Sequence, residues 1–221
     1  MNKKIEIIIF LVVIVLMLGL KILGGNFVIV QAMGDDNENI DNTYGIIDGH
    51  LSKEHENVNF CGTISIDEKN ISHGDLILEF ITKYNKQICP YYYDAENNNG
   101  KIDSESIIEG LEWMLDNRVE YVSISLSSNY YSKKLDTWIT KHSDDITIYA
   151  SYNNIISSID YPAQYDGVIG IGSDKRISYK ENDVQFDSNC VLLISDRLYL
   201  YSGNSYLAPL YMLQVTSNKN K

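Results

Sequence analysis

The chain has 221 residues, and setting aside an apolar N-terminal block of about 32 leaves fewer than 200 to fold, enough for one well-buried domain. Thirty acidic against eighteen basic residues give a net charge of -12, the wrong sign for a phosphate-binding surface, so nucleic acid is not an expected partner. A hydrophobic fraction of 44% with 11% aromatics excludes a disordered chain, and Cys61, Cys89 and Cys190 are too few and scattered for a disulfide scaffold or a Cys-rich zinc site. The odd cysteine count leaves at least one thiol free or intermolecular.

In chain order, Lys3 and Lys4 precede an uncharged block from Ile7 to Leu20, interrupted by Lys21 and followed by the mostly apolar Ile22 to Val30. As a helix, the uncharged block rises only ~21 Å against a hydrocarbon core of roughly 30 Å. Two readings stay open. One is a signal peptide with a cleavage site at Val30-Gln31-Ala32; the other is an uncleaved anchor from about Ile5 to Val30, with Lys21 snorkelling. Either keeps the basic end inside and places the remainder at the cell membrane facing out, or secreted. Residues 1–32 are therefore assigned to this segment, residues 33–42, acidic and without periodicity, to a tether, and residues 43–221 to one domain.

Within the domain, apolar runs alternate with helical patterns. Tyr44 to Ile47 reads as a strand ending at Asp48, and His73 to Tyr84 as a helix with Leu76, Ile77, Phe80 and Ile81 on its apolar face. Ile88 to Tyr93 is strand-like, Ser104 to Asn117 helical, Tyr121 to Leu126 a strand, and Leu135 to Lys141 helical. Strands follow at Ile146 to Ala150, Val168 to Ile171, Val191 to Ile194 and Arg197 to Tyr201, then a last helix from Ser205 to Val215 containing Pro209. Such alternation predicts an α/β fold, doubly wound, with a mostly parallel sheet and helices on both faces. Ligands of such sheets sit at the carboxyl ends of strands, where Asp48 and Asn153 fall.

Asp48, His73 and Ser205 each have an ordinary explanation, as turn, helix start and N-cap. Together they stand in the order Asp, His, Ser, and their surroundings match a known pattern segment by segment. Ile46-Ile47-Asp48, His73-Gly74 and Gly203-Asn204-Ser205 with Pro209 resemble the three catalytic motifs of subtilisin-like serine peptidases. Ile107 to Trp113, Ser123-Ile124-Ser125-Leu126, Ala150-Ser151-Tyr152-Asn153, and Tyr161-Pro162-Ala163 with Val168 to Gly172 resemble the intervening family segments. The resemblance runs from about Tyr44 to Val215.

It implies a serine endopeptidase acting on peptide or protein substrates. Ser205 would be the nucleophile, His73 the base and then acid, and Asp48 the group that orients His73. Asn153, with Asn154 as the neighbour one register away, would donate to the oxyanion; Ser125, Leu126, Ser127 and Tyr152 would bind substrate. No cofactor or metal is expected, and oligomeric state is left open. Several positions depart from the family pattern. Gly49-His50 follows Asp48, Asp75 stands close to His73 where it would raise the imidazole pKa if it approached the ring, and Leu207 replaces a small residue. Tyr152 replaces a pocket glycine, which leads to an expected preference for small residues before the scissile bond. The interval from Ala32 to Asp48 has no room for a long propeptide. These departures support an alternative, a catalytically impaired module that binds a peptide or protein partner.

Overall fold

A computed structural model describes residues 4, 10–12, 14–16, 19, 26–34, 43–55, 58–63, 70–97, 99–155, 160–173 and 179–219. Its strands are β1 (Val28–Gln31), β2 (Tyr44–Asp48), β3 (Gly62–Thr63), β4 (Tyr91–Asp94), β5 (Tyr121–Ile124), β6 (Thr147–Ser151), β7 (Val168–Gly172), β8 (Val184–Gln185), β9 (Cys190–Ile194) and β10 (Leu198–Ser202). Its named helices are α1 (His73–Tyr84), α2 (Ser104–Asp116), α3 (Lys133–His142) and α4 (Leu207–Lys219), with 3₁₀ turns at Lys53–His55 and Asn204–Tyr206.

Seven strands form a parallel sheet in the order β3-β4-β2-β5-β6-β7-β8. Successive strand residues point to opposite faces, so Ile46 enters one core and Ile47 the other. The first core gathers α1 and α4 through Ile77, Phe80, Ile81, Leu210 and Leu213; the second gathers α2 and α3 through Ile108, Leu111, Leu135 and Ile139. Burial on both faces is why the central strands read as nearly continuous apolar runs. The expected doubly wound α/β fold is therefore present. Strand order departs from chain order at β2, which has β4 on one side and β5 on the other, and Asp48 lies at its carboxyl end.

The helix expected at His73–Tyr84 has those limits, because Ser72 and Asp75 close a capping box at its start. The last helix differs from expectation. It begins at Leu207, after a 3₁₀ turn that carries Ser205, so Ser205 is not its N-cap.

The strands expected at Val191–Ile194 and Arg197–Tyr201 are present as β9 and β10, but they form a second sheet, β1-β9-β10, apart from the parallel one. Strand β1 pairs parallel with β9, and β10 antiparallel. Val28–Gln31, expected to belong to the apolar N-terminal stretch, are strand, with Val30 buried against the first core. The bonds Ala32 N–H to Ile194 O and Met33 N–H to Tyr84 O, both 2.7 Å, continue the attachment. Cleavage after Ala32 would detach this strand. Most of the expected apolar span, and residues 35–42 of the tether, lie outside the described residues. Among the described residues no helix is long and apolar enough to cross a membrane. Cys61 and Cys89 form a disulfide, which leaves Cys190 as the free thiol.

Candidate active site

Strand β2 carries Asp48 to the sheet edge, where its side chain is fully buried. One carboxylate oxygen accepts from the Gly49 N–H and from His73 Nδ1, both at 2.8 Å. The other is buried without a hydrogen bond among the described residues. His73 is the first residue of α1 and keeps 43% of its side chain exposed. The Asp48 hydrogen bond raises its pKa above the ordinary 6.5, partial burial opposes the rise, and the Asp48 charge adds to it.

The first turn of α1 is fixed from several directions. Ser72 caps it and donates through Oγ to His50 O, and Tyr92 Oη donates to Gly49 O at 2.6 Å. Gly74 is required by space: a Cβ there would meet Tyr92 Oη and would lie 2.7 Å from Gly49 O. Asp75 is turned away from the imidazole. It accepts from Ser72 N at 2.6 Å and from Ser52 N and Oγ at 2.8 and 3.0 Å, and it does not contribute to the His73 shift. The condition under which Asp75 would raise the His73 pKa is therefore not met: satisfying the helix start and the 49–52 loop draws its carboxylate inward.

Ser205 arrives from β10 through Gly203, whose φ of 134° lies where side-chain-bearing residues are strained. Phe80 of α1 meets Tyr201 and Tyr206 edge-on at 5.0 and 5.4 Å, so the hairpin and the Ser205 turn rest on the helix that holds His73. Ser205 O accepts from Ser125 Oγ at 2.7 Å, and Ser205 Oγ lies 3.5 Å from Ser125 O. No hydrogen bond joins Ser205 to His73 among the described residues, a gap common before substrate binds.

Asn153 and Asn154 lie in the loop after β6. Asn153 Oδ1 accepts from Ile155 N at 2.9 Å, and Asn154 Oδ1 accepts from Asn204 N at 2.8 Å. Asn204 also donates through Nδ2 to Asn153 O at 3.1 Å and accepts from Ser173 Oγ at 2.8 Å. This buried asparagine ties the Asn153–Asn154 loop to the turn that carries Ser205.

With this geometry in place, comparison with known proteins decides the family. The model of the subtilase family of peptidases (S8) matches residues 35–206. The chain belongs to the subtilase family. Subtilisin DY of Bacillus licheniformis is 24% identical over 180 residues, covering 72% of this chain and 64% of that protein. The minor extracellular protease Epr of Bacillus subtilis is 26% identical over 132 residues, covering 54% of this chain and 20% of Epr. The chain thus spans less than two thirds of the length of these relatives. In fold it is similar to the prenylagaramide maturation protease PagA, at a TM-score of 0.60 and 12% identity over 84% of this chain and 79% of that one. A lanthipeptide protease is similar at 0.55 and 17% identity, covering 80% and 71%.

Of the four residues assigned to substrate binding in this subtilase, Leu126 and Ser127 line an open cleft of about 520 Å³, with Ile107, Leu135 and Tyr161 among its other walls. Ser125 is buried and spends its hydroxyl on Ser205 O. Tyr152 is buried as well. Its ring stands edge-on to Tyr179 at 5.2 Å and its hydroxyl donates to Asp183 Oδ2 at 2.5 Å; burial first, and the bond to Asp183 second, drive the phenol pKa far upward. Its side chain therefore belongs to the core and presents no face to the cleft. Sequence reading missed two residues that shape the site. Asn204 is part of the Gly203-Asn204-Ser205 motif but has no role in the sequence reading, and neither does Glu96, 2.9 Å from His50 Nδ1 on the cleft wall.

Proposed function

We propose that this chain is a serine endopeptidase with Ser205 as its nucleophile. The observation that carries this reading is the buried Asp48 carboxylate 2.8 Å from His73 Nδ1, on a helix that also supports the Ser205 turn. With Nδ1 held by Asp48, the ring keeps its proton there and leaves Nε2 as the basic nitrogen. Ser205 Oγ attacks the substrate carbonyl as Nε2 takes the hydroxyl proton; the same proton then goes to the leaving amine, and water repeats the cycle on the acyl-enzyme. The developing oxyanion is held by the Asn153 amide and the Ser205 N–H, which lies in the 3₁₀ turn before α4. Substrate lies along the cleft at Leu126 and Ser127, which Tyr152, turned into the core, does not narrow.

The domain works outside the cytoplasm, either secreted or held by its N-terminal segment. The Cys61–Cys89 disulfide and the basic-then-apolar N-terminus support that location.

The bond of Ser205 Oγ toward Ser125 O, rather than toward His73, favours a second reading: a subtilase module that binds peptide without cleaving it. A fluorophosphonate probe on the folded chain separates the two. Labelling lost in Ser205→Ala establishes the activated serine; an unlabelled, folded wild type establishes the binding module.

A further inference from the structure

The β1-β9-β10 sheet has an inner face, set on the first core by Val30, Val191, Leu193 and Tyr201, and an outer face that none of the described residues covers. Strand register sends Ile29, Leu192, Ile194, Leu198 and Leu200 outward together. Ile29 is 56% exposed and Leu200 63%. The other outward positions, Gln31, Cys190 and Ser202, are polar but uncharged. A face without a single charge, on a chain of net charge -12, is a sheet surface built for an apolar neighbour.

We propose that this outer face docks on a lipid bilayer. The chain's own N-terminus selects lipid as the occupant, an argument that rests on the reading in which that segment is retained as an anchor. Strand β1 begins at Val28, directly after the apolar N-terminal stretch, so an anchor in the bilayer leaves Ile29 within a few residues of the lipid surface. Phe10, Leu11, Val15 and Leu16 of that stretch are themselves more than half exposed. Because β10 runs straight into Gly203, docking would set the nucleophile turn close to the membrane surface.

The test uses the full chain with Cys190→Ser, reconstituted in phosphatidylcholine–phosphatidylglycerol vesicles, with a polarity-sensitive fluorophore at Leu200→Cys. A control label at Lys134→Cys sits on α3, which packs on the opposite face of the main sheet. The label at 200 should shift to the blue and be quenched by nitroxide-bearing acyl chains, while the control stays aqueous. Adding Leu198→Glu should cut that quenching by roughly tenfold, since an apolar contact is replaced by a charge. A label at 200 that remains in water overturns the proposal. So does shielding that appears without lipid, as the chain's own N-terminal segment would give, or that rises with protein concentration in detergent, as a second copy would give. None of these readouts depends on peptidase activity.

Discussion

The two halves of the candidate active site are built differently. The Asp48–His73 half is held from below by a buried carboxylate, a capping box, a close backbone approach at Gly74 and the Tyr92 bond to Gly49. The Ser205–Asn153 half rests on side-chain amides: Asn204 bridges Asn153, Asn154 and Ser173, and Ser125 holds the Ser205 backbone. Strand and helix termini converge on the first half, so its geometry follows from secondary structure. The second half joins two loops, and only tertiary hydrogen bonds fix it. His73 is thus already oriented by Asp48, whereas the Ser205 turn is tied to Ser125 and to the Asn153–Asn154 loop rather than to His73.

Breaking the first half should have the largest effect. Asp48→Asn replaces the carboxylate with an amide that can donate to Nδ1 and so select the wrong imidazole tautomer, and turnover of a peptide substrate is expected to fall by about 10⁴, the loss known for the same change in another serine protease. Unchanged turnover would show that His73 takes its orientation from elsewhere. In the second half, Asn153→Ala should lower kcat by about 10²–10³, the loss that removing this kind of donor causes in subtilisin itself. Asn154→Ala should leave kcat much nearer wild type; a reversed order would move the oxyanion role to Asn154.

The pH profile sharpens the same contrast. Asp48 raises the His73 pKa, so the imidazolium, which cannot act as base, persists to higher pH. The rate should rise with pH through a midpoint above the ordinary 6.5, and the midpoint should fall in Asp48→Asn. The smallest effect is on stability. Asp75→Ala orphans the buried Ser52 N–H and opens the capping box, and thermal melting should report a loss of about 1–3 kcal/mol. A Km or kcat change without that loss would return Asp75 to the catalytic group.

Much of the first half is legible in the sequence because its signals are local. Ser72 and Asp75 bracket the start of α1 three residues apart, and an apolar strand that ends in Asp48 needs only its own alternation to be read. The order of Asp48, His73 and Ser205 is likewise a property of the chain, and with the flanking segments it is enough to point to the subtilase family. The second half is less legible. That Ser205 sits in a 3₁₀ turn rather than capping a helix depends on Gly203 and on where β10 ends. That Asn204 clamps the oxyanion-side loop depends on residues some 50 positions away.

By itself, then, the sequence determined the parallel α/β architecture, the family, and the residue types available for chemistry, because helix and strand periodicity and short motifs are encoded within a few residues. Tertiary structure alone decided which way the ambiguous side chains turn: Asp75 toward Ser52 rather than His73, and Tyr152 toward Asp183 rather than the cleft. It also decided that Cys61 pairs with Cys89, and that Val28–Gln31 form a strand beside β9, more than 150 residues along the chain. Those outcomes rest on contacts between remote segments, where burial and unsatisfied hydrogen bonds choose among partners that local spacing treats as equal.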